Sequence, residues 1–164
     1  MTLRVSLLML TLLPLFLQCT KASVEPGSDA PGQFVFGSFF GFCQGEGCIE
    51  IFKVERGQLY EDQRDQYPAV YGTEPYEGSY ALRSSADYAL AADLPGQLPE
   101  ALFDEEEQVL GIPDAGDWGG WYVARRPAGG AWEWRYIDNN LSNVPSYLHG
   151  FVEEMRRTVD ALQE

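Results

Sequence analysis

The chain has 164 residues, of which 25 are Asp or Glu and 11 are Lys or Arg, giving a formal charge of −14. A surplus of that sign is repelled by phosphate backbones and anionic headgroups, which excludes nucleic acid as a partner and electrostatic adsorption to an acidic bilayer. With 45% hydrophobic residues, the chain carries enough apolar side chain for one core of ordinary domain size.

The N-terminal segment reads as an export signal. Arg4 supplies a positive start, and Val5 to Leu17 is an apolar run of signal-core length that is short for a membrane span. Phe16-Leu17-Gln18-Cys19 is similar to a bacterial lipobox, in which the Cys becomes the lipidated first residue, although Gln18 stands where a small residue is usual. Cleavage after Ala22, with Thr20 and Ala22 as the small residues, is the competing route. Lipidation is favoured, because a Cys at the end of a signal core has few other uses. The expected organisation is a signal over 1–18, a tether over 19–32 rich in Ser, Pro, Gly and acidic residues, and one domain over 33–164. The expected address is the cell envelope, with an N-terminal lipid anchor in the membrane.

The domain opens with strands. Phe34, Phe36, Phe40 and Phe42 alternate with Val35, Gly37, Phe39 and Gly41, a period-2 pattern with one strongly aromatic face. Residues 48–55 read as its partner, and Arg56-Gly57 turns the chain into a third strand at 58–61. Cys43 and Cys48 flank Gln44-Gly45-Glu46-Gly47; an even pair in an exported chain predicts a disulfide that pins this hairpin. The spacing is not Cys-x-x-Cys and no His is near, so redox or metal chemistry is disfavoured there. Residues 61–78, rich in Tyr and Pro, read as an ordered surface loop, and Tyr80 to Arg83 as a short strand. Two short helices follow, over 86–94 with Ser85 as cap and over 100–107, separated by Pro95, Gly96 and Pro99.

The last third carries the clearest pattern. Residues 121–127 and 131–138 form a hairpin around Gly129 and Gly130, with positive φ expected at both. Trp132, Trp134 and Tyr136 share one face of its second arm, and Glu133 and Arg135 the other. Pro145 starts a helix whose stripe runs Val144, Leu148, Phe151, Val152, Met155, Val159 and Leu162. The Trp face is the surface expected to receive that stripe. The predicted fold is α+β: an antiparallel sheet of five to six strands, short middle helices and a C-terminal amphipathic helix across one face.

Signals for chemistry are sparse. His149, the only His, sits beside the apolar stripe and reads as structural; no Gly-x-Ser-x-Gly elbow or Gly-rich phosphate loop is present. The run Asp104 to Glu107 lacks the spaced acids and glycine of a calcium loop, so no metal or cofactor is expected. The most unusual segment is Gly111 to Trp121, where Asp114, Asp117, Trp118 and Trp121 crowd a glycine-rich turn. Stacking on the Trp rings with hydrogen bonds to the carboxylates would suit a glycan or peptide. Turn-forming acids with core Trp rings are the structural alternative.

Several motifs together resemble a group of small predicted lipoproteins from Bacteroidota to which no activity is assigned. They are the Cys43–Cys48 hairpin, Pro113-Asp114 followed by Asp117-x-Gly119-Gly120, Trp134-Arg-Tyr-Ile-Asp138 and Val144-Pro-Ser-Tyr-Leu-His149. Where members of that group often carry two further cysteines, this chain has Ile112 and Ala115. The resemblance implies the envelope address and a single domain, and no activity. The expected function is a non-enzymatic binding module for an unknown protein or glycan ligand. A carboxylate-dependent hydrolase of glycan or peptide, and an inhibitor or immunity-type protein presenting the 61–78 loop, are the alternatives.

Overall fold

The computed structural model describes residues 32–43 and 46–164. The expected signal, Cys19, both cleavage sites and all but the last residue of the tether lie outside the described residues. The fold is α+β. Seven strands, β1 (Gln33–Phe39), β2 (Ile49–Glu55), β3 (Gln58–Asp62), β4 (Tyr80–Leu82), β5 (Val109–Leu110), β6 (Gly120–Arg126) and β7 (Glu133–Asp138), form one sheet in the order β4-β3-β2-β1-β6-β7-β5. All neighbours are antiparallel except β5 and β7, which are parallel. The count exceeds the expected five to six because β5 is only two residues long, too short to show a period.

β1 is the central strand, paired to β2 and β6 along its whole length. Gly37 is required there: a Cβ would lie 1.9 Å from the Glu50 carbonyl oxygen and 2.7 Å from the Ile51 Cα. The β1–β2 hairpin is closed by the Cys43–Cys48 disulfide, with Cα atoms 5.6 Å apart. The backbone N–H of Phe40 donates to the Cys48 carbonyl, which carries the pairing to the edge of the ring.

One face of the sheet receives the helices. α2 (His149–Leu162) buries the whole predicted stripe from Phe151 to Leu162 against Phe34, Phe36, Phe52, Leu59, Trp121, Val123 and Ile137. Val144 and Leu148, in the turns leading into α2, join the same cluster. α1 (Ser85–Ala91) and the helical turns at Leu94–Gln97 and Glu100–Phe103 complete this layer through Ala91, Leu94 and Leu102. The cap of α1 is Ser84 rather than Ser85, in a capping box with Asp87. The expected helix over 100–107 is one turn, because Arg135 draws the following backbone into a loop by donating to the Phe103 and Glu105 carbonyls.

The Trp face of β7 is not the helix face. Trp132, Trp134 and Tyr136 lie on the opposite side with Val35, Phe39, Ile51 and Tyr122. That side is covered in part by residues 63–79, which run over the sheet as a strap. In the β6–β7 turn only Gly129 has positive φ, at 75°. Gly130 does not need it, since its N–H donates to Pro127 O in a turn that one left-handed residue closes.

Candidate functional site

Asp62 fixes the strap. It ends β3 on the helix-free side, is 3% exposed, and accepts from the Tyr76 hydroxyl and the backbone N–H groups of Asp65 and Ser79. A buried carboxylate is tolerated because its lone pairs are filled by donors. Tyr122 adds a second tie, its hydroxyl accepting from the Tyr76 N–H at 2.9 Å. Val70 of the strap is buried against Val35, Phe39, Ile51 and Tyr122 of the sheet's cluster, so the middle of the strap lies down on the sheet.

Between the strap and the hairpin the sheet face stays open as a groove of about 690 Å³. Its aromatic surface is Tyr76, Tyr80, Trp132 and Trp134, and Arg64, Glu74 and Glu77 stand on the strap side. A second hollow of about 470 Å³ lies across the 74–77 rib, over Tyr136. Both volumes fall in the range of small-ligand sites, ~300–1,000 Å³. Two cations of the chain already use the aromatic faces: Lys53 Nζ is 4.7 Å from the centre of the Tyr80 ring, and the Arg126 guanidinium 6.0 Å from that of Trp132. Tyr80 and Trp134 line the groove, but their polar atoms, Tyr80 Oη and Trp134 Nε1, are buried away from solvent and have no hydrogen-bond partner. Burial, with the Asp62 charge close by, pushes the Tyr80 hydroxyl above its ordinary range, and burial and the hydrogen bond to Asp62 do the same for Tyr76. Both phenols are therefore neutral near pH 7, and the Tyr76 hydroxyl donates its hydrogen bond to Asp62.

The residues singled out in the Gly111–Trp121 turn part company. Trp121 is 3% exposed and belongs to the core, its Nε1 donating to Asn139 Oδ1; its ring is closed to a ligand. Trp118 is 69% exposed and borders a small hollow of about 190 Å³ with Ile112 and Asn143. Asp114 is a clamp: at φ 61° it accepts from the N–H groups of Gly41 and Gly119 and from the Tyr67 hydroxyl. It thereby joins the turn to the end of β1 and to the strap. Asp117, also at positive φ (63°), shapes the turn. Trp118 lies near Asp138 at one end of β7, and the groove lies by Trp132 and Trp134 at the other, so the turn and the groove are separate places.

His149 is half-buried, its Nε2 3.0 Å from the Val144 carbonyl oxygen, a local contact at the start of α2. Among the described residues no group of three His, Cys, Asp or Glu side chains is placed to hold a metal ion, and no helix is long and apolar enough to cross a membrane. Glu74 and Glu77 share the groove but are exposed. A general acid for glycoside or peptide hydrolysis is normally set in a desolvated pocket against a positioned partner.

Comparison with protein-family models, with curated proteins and with solved structures gives no match. The groove was missed in the sequence because its walls come from three distant segments, 64, 74–80 and 132–134. The period-2 spacing of Trp132 and Trp134 was the one signal that could have found it, once the helix was assigned to the other face.

Proposed function

We propose that this is an exported, lipid-anchored envelope protein of the kind its motifs resemble, and that its domain is a non-enzymatic binding module. The observation that supports the binding reading is the groove on the helix-free face. There, Trp and Tyr surface is left uncovered by a strap that is otherwise tied down at Asp62 and Tyr122. Aromatic side chains offer large contact area at small entropy loss, and polar groups around them set orientation. A tether of the composition seen before residue 33 would hold such a domain clear of the bilayer.

Two measurements test the proposal. Intact mass of the protein from its native membrane fraction, with and without reductant, is expected to give an acylated chain starting at Cys19 with one protected Cys pair. An unlipidated chain starting at Ser23 would refute the anchor. Titration of the domain with solubilised envelope extract is expected to shift its tryptophan emission, and Trp134→Ala is expected to abolish most of that response. An equal response in the variant would refute the groove as the binding surface.

A further inference from the structure

We infer that the chain covers its own groove: residues 20–31, the segment before β1, occupy it until a ligand displaces them. The inference rests on the groove being the binding surface. The first ground is where that segment joins the fold. β1 begins at Gln33, paired with Arg126 and Glu55, and two residues on Val35 is flanked by Lys53 and Ala124. Lys53 stands over the Tyr80 ring, and Ala124 is paired with Trp134. The N-terminal end of β1 is therefore the end at which the groove opens. Gly32 bends there against the β6–β7 turn, so close that a Cβ would lie 3.1 Å from the Arg126 carbonyl oxygen and 3.3 Å from the Ala128 N. Arg126 in turn stands over the Trp132 ring, so the segment meets the fold beside one aromatic wall of the groove.

Length and chemistry are the second ground. From the strand of Trp134 to that of Tyr80 the sheet has five strand spacings, about 24 Å at ~4.8 Å each. Residues 24–31, when extended, reach about 26 Å, so one pass crosses the groove. Pro26 and Pro31 bias themselves, and Glu25 and Ala30 before them, toward extended backbone. Proline-bearing segments dock in that form against grooves walled by aromatic rings, and this groove is walled by Tyr76, Tyr80, Trp132 and Trp134. Its two exposed arginines also lack counter-ions. Lys53, Arg83, Arg125, Arg156 and Arg157 each hold a carboxylate. Among the described residues Arg64 and Arg126 donate only to backbone carbonyls, those of Glu77 and Gly130. Entering from Gly32, the segment brings Asp29 to Arg126 and then Glu25 to Arg64, and leaves Lys21 for Glu74 and Glu77 on the strap.

The test uses the full exported chain, a variant of it with residues 20–30 changed to Gly and Ser at unchanged length, and a synthetic peptide of residues 20–31 as the probe. A short connection holds a segment near its site at an effective concentration of about 1 mM. The peptide is expected to bind the Gly-Ser variant with a Kd of about 0.1 mM, read by tryptophan emission, and the exported chain about tenfold more weakly, because the chain's own segment competes. In the Gly-Ser variant, Arg126→Gln is expected to weaken the peptide about threefold, the effect of one exposed ion pair, and Trp134→Ala to abolish its binding. Envelope extract should saturate the Gly-Ser variant at about a tenth of the amount the exported chain requires. No binding at several millimolar peptide, equal binding to both chains, or peptide binding unchanged by both substitutions overturns self-occupancy. Where extract binding is nonetheless lost in Trp134→Ala, the groove reading stands without it. Extract binding unchanged in Trp134→Ala overturns the groove reading itself.

Discussion

Replacing Asp62 by Ala removes the anchor of the strap. The carboxylate accepts three hydrogen bonds, from Tyr76, Ser79 and Asp65, and hydrogen bonds to a charged group contribute roughly 1.5–3 kcal/mol each. Their simple sum overstates the loss, because the variant no longer buries a charge and the Tyr76 hydroxyl can turn to water. What remains is the cost of leaving three neutral donors without their acceptor, roughly 1–3 kcal/mol each where water cannot reach them, and the lower end applies here since the freed donors lie near the surface. A loss of about 3 kcal/mol is a large share of the roughly 5–15 kcal/mol total stability of a domain. Asp62→Asn keeps one acceptor and should lose about half as much. Urea unfolding followed by tryptophan emission measures the change. Hydrogen exchange should show residues 63–79 losing protection before β1, β2 and β6, and groove binding should weaken as the 74–78 wall loosens. A loss below about 0.5 kcal/mol for Asp62→Ala, with unchanged exchange at residues 65, 76 and 79, would refute the account of the strap.

Two other predictions follow from the same geometry. Trp121→Ala should destabilise by about 3–5 kcal/mol as a core truncation, while Trp118→Ala, at a site 69% exposed, should leave the melting temperature nearly unchanged; equal losses would mean that Trp118 is core. In alkali, burial holds Tyr67, Tyr76, Tyr80, Tyr122 and Tyr147 above the ordinary tyrosine range and pushes Tyr136 up to about 12. A raised folded value favours the neutral form, so this stabilisation is whole below pH ~10 and is lost as the pH rises through the folded values. Urea stability should therefore fall above that pH, and the phenolate absorbance of these six should appear only on unfolding; reversible titration of all nine tyrosines near their ordinary value in folded protein would contradict it.

Local signals carried most of the architecture. The β1–β2 hairpin, its disulfide, the β6–β7 hairpin and the α2 stripe are each encoded within about 20 consecutive residues by period and turn chemistry. The strap and groove are encoded otherwise. Asp62 reads as one acid among 25, and only the chain's return at Tyr76 and Ser79 gives it partners. Asp114 likewise reads as a ligand candidate until Gly41, Gly119 and Tyr67 converge on it. Side chains that act by joining distant segments leave no periodic trace.

The choice of face for α2 has a physical reason that β7 alone conceals. On the helix side, β1, β2, β3 and β6 present Phe34, Phe36, Phe52, Leu59 and Val123 as an apolar centre, with Ser38, Glu50, Glu61 and Arg125 on the same face around it, and Trp121 satisfies its one N–H at Asn139. The stripe of α2 has nothing to offer a buried hydroxyl, so it packs over that apolar centre. On the other side the same strands bring up Lys53, Tyr60, Asp62 and Tyr122, whose polar ends need partners. An irregular strap can supply backbone N–H groups where a helix cannot, as it does from Tyr76 to Tyr122 and from Ser79 to Asp62. The strap reaches only part of that face, and the part left uncovered is walled by Tyr76, Tyr80, Trp132 and Trp134. The helix-free face is therefore covered by a strap tied at Asp62 and Tyr122, and the gap that strap leaves is the aromatic groove.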